Sequence, residues 1–371
     1  MLKIFPNYSV LTKTRTVKVV YLTSESYIDH SYTVAQELLK HAELKIFLQA
    51  KEATIEIDRW CKKFNAEFVE RKRFRNPFSF ISEIFFLLKI RKMKPDVVWF
   101  NTMTVYQVLL ADILLKRFLV VMHDVDLHPE SGDRHGMFSV RMTMKFALRK
   151  ICAASRTQGD IFRQQHGFYP PVFQLPIINY YKETGDAGLK KPSGKVRFFF
   201  FGSVEKYKGI ETLLAAAELL DERGLEYELN IYGKIKYDEE IIIDRIRNLV
   251  NVSIHNEFID YRKIHSVYNS NHVLILPYRQ VTQCGPLLIG YSEGVPAICS
   301  DLAGFREYVS DGVDSMLFGN TAGSLAAKME EIIKDPGIIK KLSKGIEENA
   351  MKKFSMDVLV DEYMENFEKY V

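Results

Sequence analysis

Short apolar runs of strand length recur along this chain, and stretches with helical patterning separate them. In the first half the runs are "VKVVYL" (17–22), "LKIFL" (44–48), "DVVWF" (96–100), "FLVVM" (118–122) and "ICAA" (151–154). Tyr32–His41 and Pro77–Lys92 are among the helical stretches between them. A strand that is apolar throughout is buried on both faces, and strands joined through helices imply βαβ units in a parallel sheet. The pattern then restarts with "VRFFFFG" (196–202), "YELNIYG" (227–233), "VSIH" (252–255), "HVLILPY" (272–278) and "AICS" (297–300). Between the two series, Tyr180–Lys195 is polar and bears glycine and proline, as a linker does. The sequence predicts an α/β protein of two Rossmann-like, doubly wound domains facing each other across a cleft. The first spans residues 1–180, a linker covers 181–195, and the second spans 196–353. Residues 354–371 read as a C-terminal helix packing back toward the first domain.

With 371 residues, 47% of them hydrophobic, the chain has enough apolar surface for two cores. Its net charge of +4 hides an asymmetry, because residues 1–185 carry a net +10 and the remainder a net −6. The first half is the one that seeks an anionic surface. The basic residues Arg71, Lys72, Arg73 and Arg75 adjoin an aromatic-rich helical stretch with Lys89, Arg91, Lys92 and Lys94 at its other end. A basic amphipathic helix of this kind points to an anionic membrane surface, with a core helix bearing solvated ends as the alternative. Nucleic acid fits poorly, since no binding motif accompanies the charges. Cys61, Cys152, Cys284 and Cys299 stand far apart, which argues against a disulfide framework or a zinc site and suits a reducing compartment. The N-terminus has no secretory pattern, and Asp112, Lys116 and Arg117 interrupt the longest apolar run, Val105–Met122. These features predict a cytoplasmic protein, peripheral at the inner face of the cell membrane.

In doubly wound sheets ligands sit beyond the carboxyl ends of the strands. That rule selects four loops: Thr23–Ser31, His123–Gly136, Gly202–Gly209 and Tyr278–Pro286. In the third, Gly202 permits a close backbone approach, Lys206 and Lys208 supply charge, and Gly209 precedes a helix whose N-terminus favours an anion. The spacing matches neither G-x-G-x-x-G nor the P-loop. In the fourth, Thr282 and Gln283 offer hydrogen bonds, Gly285 sits in a second anion nest, and Pro286 suits the first helical position. Two nests in one domain suggest a diphosphate, and Arg279 is a candidate bidentate contact to it. Glu307, after "LAGF", is placed to accept from a sugar hydroxyl; equally, it reads as a carboxylate favoured at a helix start. Asp29, His30 and Tyr32 line the first loop, toward an acceptor.

"FFGSVEKYKGIETLLAA" followed by "LPYRQVTQCGPLLIGYSEGVPAICSDLAGFREYV" resembles the family 4 type of GT-B glycosyltransferases, in the branch with a P-Y-R-x-x-[ST]-Q-[SC]-G donor loop. "DGVDSMLF" and the "HDVDLHPE" segment, an H-D-x-x-x-H pattern with His123 and His128, look like that family too. The resemblance implies a retaining glycosyltransferase of the GT-B fold that uses a nucleotide-diphosphate sugar and needs no metal. It assigns Lys208 to the diphosphate, Gly202 to phosphate approach, His123 to the reaction centre and Glu307 to the family's carboxylate. His128 goes to the acceptor side. The implied acceptor is a saccharide, lipid-linked, in surface polysaccharide biosynthesis. A non-catalytic binding subunit and a GT-B nucleotide-sugar epimerase are the alternatives. Three departures bear on this. Val281 and Ile289 stand where E-x7-E carboxylates would be, leaving Glu293 as a candidate ribose contact. Glu205 replaces a loop arginine and is expected to turn away from a diphosphate. The first βα loop lacks the usual Gly-Gly.

Overall fold

The computed structural model describes residues 16–71, 77–123, 134–185 and 194–370; His128 and residues 72–75 lie outside them. The first domain carries a parallel sheet of β1 (Lys18–Ser24), β2 (Glu43–Ala50), β3 (Glu67–Glu70), β4 (Val97–Phe100), β5 (Phe118–Met122) and β6 (Ile151–Ala153), in the order β3-β2-β1-β4-β5-β6. The second repeats the arrangement with β7 (Val196–Phe201), β8 (Tyr227–Tyr232), β9 (Val252–His255), β10 (Val273–Leu276), β11 (Ala297–Ser300) and β12 (Met316–Phe318), in the order β12-β11-β10-β7-β8-β9. Strand order reverses between β1 and β4 in one sheet and between β7 and β10 in the other. In doubly wound sheets ligands bind beyond the strand ends at such switch points.

Apolar continuity in the strands follows from burial on both faces. Val19 and Tyr21 enter one core while Val20 and Leu22 enter the cluster on the opposite face of the sheet. The unpredicted strands β3 and β12 are both sheet edges. The first, "EFVE", is bounded by glutamates and only partly buried, and the second is three residues long, so neither leaves a detectable apolar run. The helix predicted from Tyr32 instead begins at Ile28, because a single 3-10 turn, Glu25–Tyr27, is all that separates it from β1.

The chain crosses between domains twice. The short helix Tyr180–Thr184 lies on the first crossing, and the terminal helix Met356–Glu368 returns to the first domain. There Tyr363 and Phe367 pack edge-on against Trp99, at 5.6 and 5.4 Å between ring centroids. Tyr363 donates to the Gln174 carbonyl and Asn366 to that of Val172, both at 2.8 Å. Among the described residues, no helix is long and apolar enough to cross a membrane.

Candidate active site

β7 ends at Gly202, whose φ of +117° is a conformation glycine adopts without strain. A side chain there would begin 3.3 Å from the Lys208 ammonium, so the missing Cβ lets that cation lie against the backbone. Lys208 is buried, at 9% exposure. Its ammonium reaches the Ser203 hydroxyl at 3.4 Å, and no ion pair to a carboxylate forms among the described residues. Burial pushes the lysine's pKa down; the charge of Glu205 opposes that shift. A desolvated cation without a close counter-ion is unfavourable, and an incoming anion relieves it.

Around Lys208, Glu205 does not turn away as expected. It accepts from Ser203 at 2.7 Å, which leaves the hydroxyl oxygen's lone pair toward the ammonium. Lys206 is exposed in the same turn. Gly209 has a packing role instead of an anion-binding one: at φ +66° a Cβ would meet the Pro277 carbonyl oxygen at 2.0 Å, and its N–H donates to Lys206. Across the crevice, the helix Gly285–Ser292 starts with Pro286 in its first turn, where no N–H is required. A side chain at Gly285 would meet nothing within 4 Å. This open helix N-terminus lies next to Cys284, which is electrostatically coupled to Lys208. Arg279 is not available as a bidentate phosphate contact, since it is paired with Glu211 at 3.2 Å. Thr282 and Gln283 are half-buried in the loop before the helix.

The first domain contributes His123, at the end of β5. Its Nε2 faces the Asn101 carbonyl oxygen at 3.2 Å and Asn101 Oδ1 at 3.0 Å, and its Nδ1 faces Gln283 Oε1 of the second domain at 3.2 Å. Gln283 donates in return to the His123 carbonyl at 3.2 Å, so the two loops clasp across the cleft. Tyr27 stacks on the imidazole at 4.1 Å, and His30 meets it edge-on at 6.5 Å. His30 is buried, with both ring nitrogens lacking a hydrogen-bond partner; burial, reinforced by His123, lowers its pKa to about 3 and keeps it neutral.

Three expected carboxylates are engaged elsewhere. Glu307 caps a helix of the opposite domain: its oxygens accept from the Arg156 and Thr157 backbone N–H groups at 2.7 and 2.9 Å, and from Gln174 at 3.1 Å. A carboxylate at a helix N-terminus is favoured by the dipole, and here the helix is Arg156–His166. Asp29 accepts from Tyr181 at 3.0 Å and from the His30 N–H at 2.7 Å, and burial raises its pKa. Its neighbour Tyr32 donates to Glu183 at 2.9 Å, so both residues tie the first βα unit to the linker crossing. Glu293 is neither solvated nor near the crevice mouth: its side chain is 2% exposed and bound to His265 and Asn269. Ile289, which replaces an acidic residue, is buried in the second core. Sequence reasoning missed Asn101 and Gly233. A Cβ at Gly233 would meet the Gly202 carbonyl at 2.0 Å, so Gly233 permits the close approach behind the Gly202–Gly209 turn.

Residues 195–335 match the family described as Glycosyl transferases group 1. The matched segment holds β7 to β12 and the turn that carries Lys208. Over 178 residues the chain is 26% identical to an uncharacterized 41.2 kDa protein of the cps region of Klebsiella pneumoniae; the match covers 47% of this chain and 47% of that protein. The chain therefore spans about half the length of the curated relatives it matches. Among solved structures, a glycosyltransferase from Rickettsia africae superposes with a TM-score of 0.72 at 14% identity, covering 96% of this chain and 99% of that one. Anabaena Alr3699/HepE, solved with UDP-glucose, does so with a TM-score of 0.69 at 15% identity, covering 95% and 99%. At such identities the likeness shows the fold, which is GT-B: two parallel-sheet domains, with His123 in the first and Lys208 in the second.

Proposed function

We propose that this protein is a retaining glycosyltransferase that moves a sugar from a nucleotide-diphosphate donor to a saccharide acceptor. The observation that carries the reading is Lys208, a buried ammonium with no ion-paired carboxylate among the described residues, at the switch point of the second sheet and beside the start of the helix Gly285–Ser292. In this reading Lys208 and the Gly285 N–H at the helix start stabilise the charge developing on the departing diphosphate, and no metal is needed. The helix dipole adds to the lysine, and burial strengthens both interactions. His123 faces the same space from the opposite domain, and closure of the clasp excludes water around the reacting sugar. The cps-region relative supports an acceptor in surface polysaccharide synthesis; a lipid-linked acceptor at the inner face of the membrane is part of the same proposal. The UDP-glucose bound by the Anabaena protein supports a nucleotide sugar as donor.

A non-catalytic binding subunit is the second reading, favoured by Val281 and Ile289 in the two positions where carboxylates would be expected. One experiment addresses both. The purified chain is incubated with UDP-, GDP-, ADP- and TDP-sugars, with and without bacterial membrane lipid extract, and nucleotide diphosphate release is followed. Acceptor-dependent release with one donor is expected. Donor binding without release supports the binding subunit, donor isomerisation without acceptor indicates an epimerase, and absence of both binding and release overturns the proposal.

A further inference from the structure

We infer that Asn101 is the residue that positions His123, fixing which imidazole nitrogen carries the proton and how the ring is oriented in the cleft. The inference rests on the proposal that His123 stands at the reaction centre. Asn101 follows β4 at the switch point of the first sheet and is 1% exposed. Its N–H donates to the Leu22 carbonyl at 2.8 Å, which extends the β1–β4 ladder by one residue and holds its backbone. Its side-chain amide is oriented from the far side. Nδ2 donates to the Thr23 hydroxyl at 3.4 Å, and Thr23 is itself held by Ser31, which also meets the Tyr21 hydroxyl. With the amide nitrogen so engaged, Oδ1 points at His123 Nε2, and the Asn101 carbonyl oxygen lies beside it.

Two oxygens that can only accept therefore flank Nε2, and a nitrogen between two acceptors carries a proton. The consequence falls on Nδ1. It faces Gln283 Oε1 of the other domain, and Gln283's amide nitrogen is committed to the His123 carbonyl. That contact is a hydrogen bond when the ring carries its second proton. The asparagine in the first domain thus decides what the histidine presents to the second. Asn101 touches no reacting atom in this scheme and acts through His123 alone.

The test uses the full chain labelled with 15N at histidine, the His123 signals being assigned by their loss in His123→Gln. The wild type is expected to show a proton on Nε2. In Asn101→Leu the ring should populate both tautomers, and turnover of the donor identified by nucleotide release should fall about 10- to 100-fold with donor KM changed less than about twofold. Asn101→Asp keeps the acceptor and the shape, so its Nε2 stays protonated. Its carboxylate should also move the loss of the ring's second proton upward by about one pH unit or more. An unchanged tautomer in Asn101→Leu, or, if that variant does not fold, an unmoved titration in Asn101→Asp, overturns the inference. If the tautomer shifts while turnover does not, Asn101 still positions the ring, and it is His123's place at the reaction centre that falls.

Discussion

Lys208 shows how a single side chain can be unfavourable for folding and useful for binding. Among the described residues its ammonium has one long hydrogen bond and no ion pair, and burial lowers its pKa in the folded state. Between that lowered value and the ordinary 10.5, the unfolded chain holds the proton and the folded chain releases it. Stability attributable to this group therefore rises with pH through that window and is lowest below it. Replacing Lys208 with Met should raise the melting temperature of the ligand-free protein at neutral pH by about 2 °C, on the scale of a 1 kcal/mol effect. It should also abolish stabilisation by nucleotide diphosphates. Calorimetry with and without UDP or GDP checks both; a lower ligand-free melting temperature would mean that the lysine has an anionic partner in the folded protein. Gly202 belongs to the same site, because a Cβ there would stand 3.3 Å from the ammonium.

At the scale of elements, Glu307 joins the two domains through a helix end. Its carboxylate accepts two backbone N–H groups of Arg156–His166, while Ser155 accepts a third, from Gln158, at 3.2 Å. Arg156 in turn reaches Glu362 of the terminal helix at 2.9 Å, so three segments distant in sequence meet at one helix start. Removing a capping acceptor costs about 1–2 kcal/mol. Glu307→Ala is accordingly expected to lower the melting temperature by a few degrees and to speed hydrogen exchange in the first turn of Arg156–His166. Donor affinity should stay within about twofold. A variant with normal exchange but lost donor affinity would return Glu307 to the sugar.

Across the whole molecule, charge and exposed apolar surface coincide in the first domain. Ile81 and Phe85 on the helix Pro77–Lys92, and Ile113 on the helix Val105–Leu114, are 50%, 69% and 74% exposed. The two helices pack together, and the Arg91 guanidinium reaches the Leu114 carbonyl at 3.5 Å, which brings the exposed Arg91, Lys92 and Lys94 alongside Lys116 and Arg117. Each basic residue near an anionic bilayer contributes about 1 kcal/mol, within a Debye length. The protein is expected to sediment with vesicles containing anionic lipid at low salt and not with neutral ones. Triple replacement of Lys92, Lys116 and Arg117 by Glu, or Phe85→Ser, should release it without lowering its melting temperature. Indifference of the wild type to anionic vesicles would remove the membrane from the proposal.

The sequence by itself determined the two parallel sheets and the loops at their carboxyl ends. These follow from local properties: apolar runs buried on both faces, helical patterning between them, and turn chemistry at Gly202 and Pro286. Lys208 was legible for the same reason, since its turn, strand and helix are contiguous. Edge strands β3 and β12 were not, because a short or half-exposed strand leaves no apolar signature. Partners were decided only in the folded chain. Glu307 lies some 150 residues from the N–H groups it caps, Arg279 is 68 residues from Glu211, and His123 is 160 from Gln283. Local pattern shows that such a side chain is polar and near a strand end. Which group it meets depends on how two separately wound sheets, with a terminal helix returning across both, bring remote loops into contact.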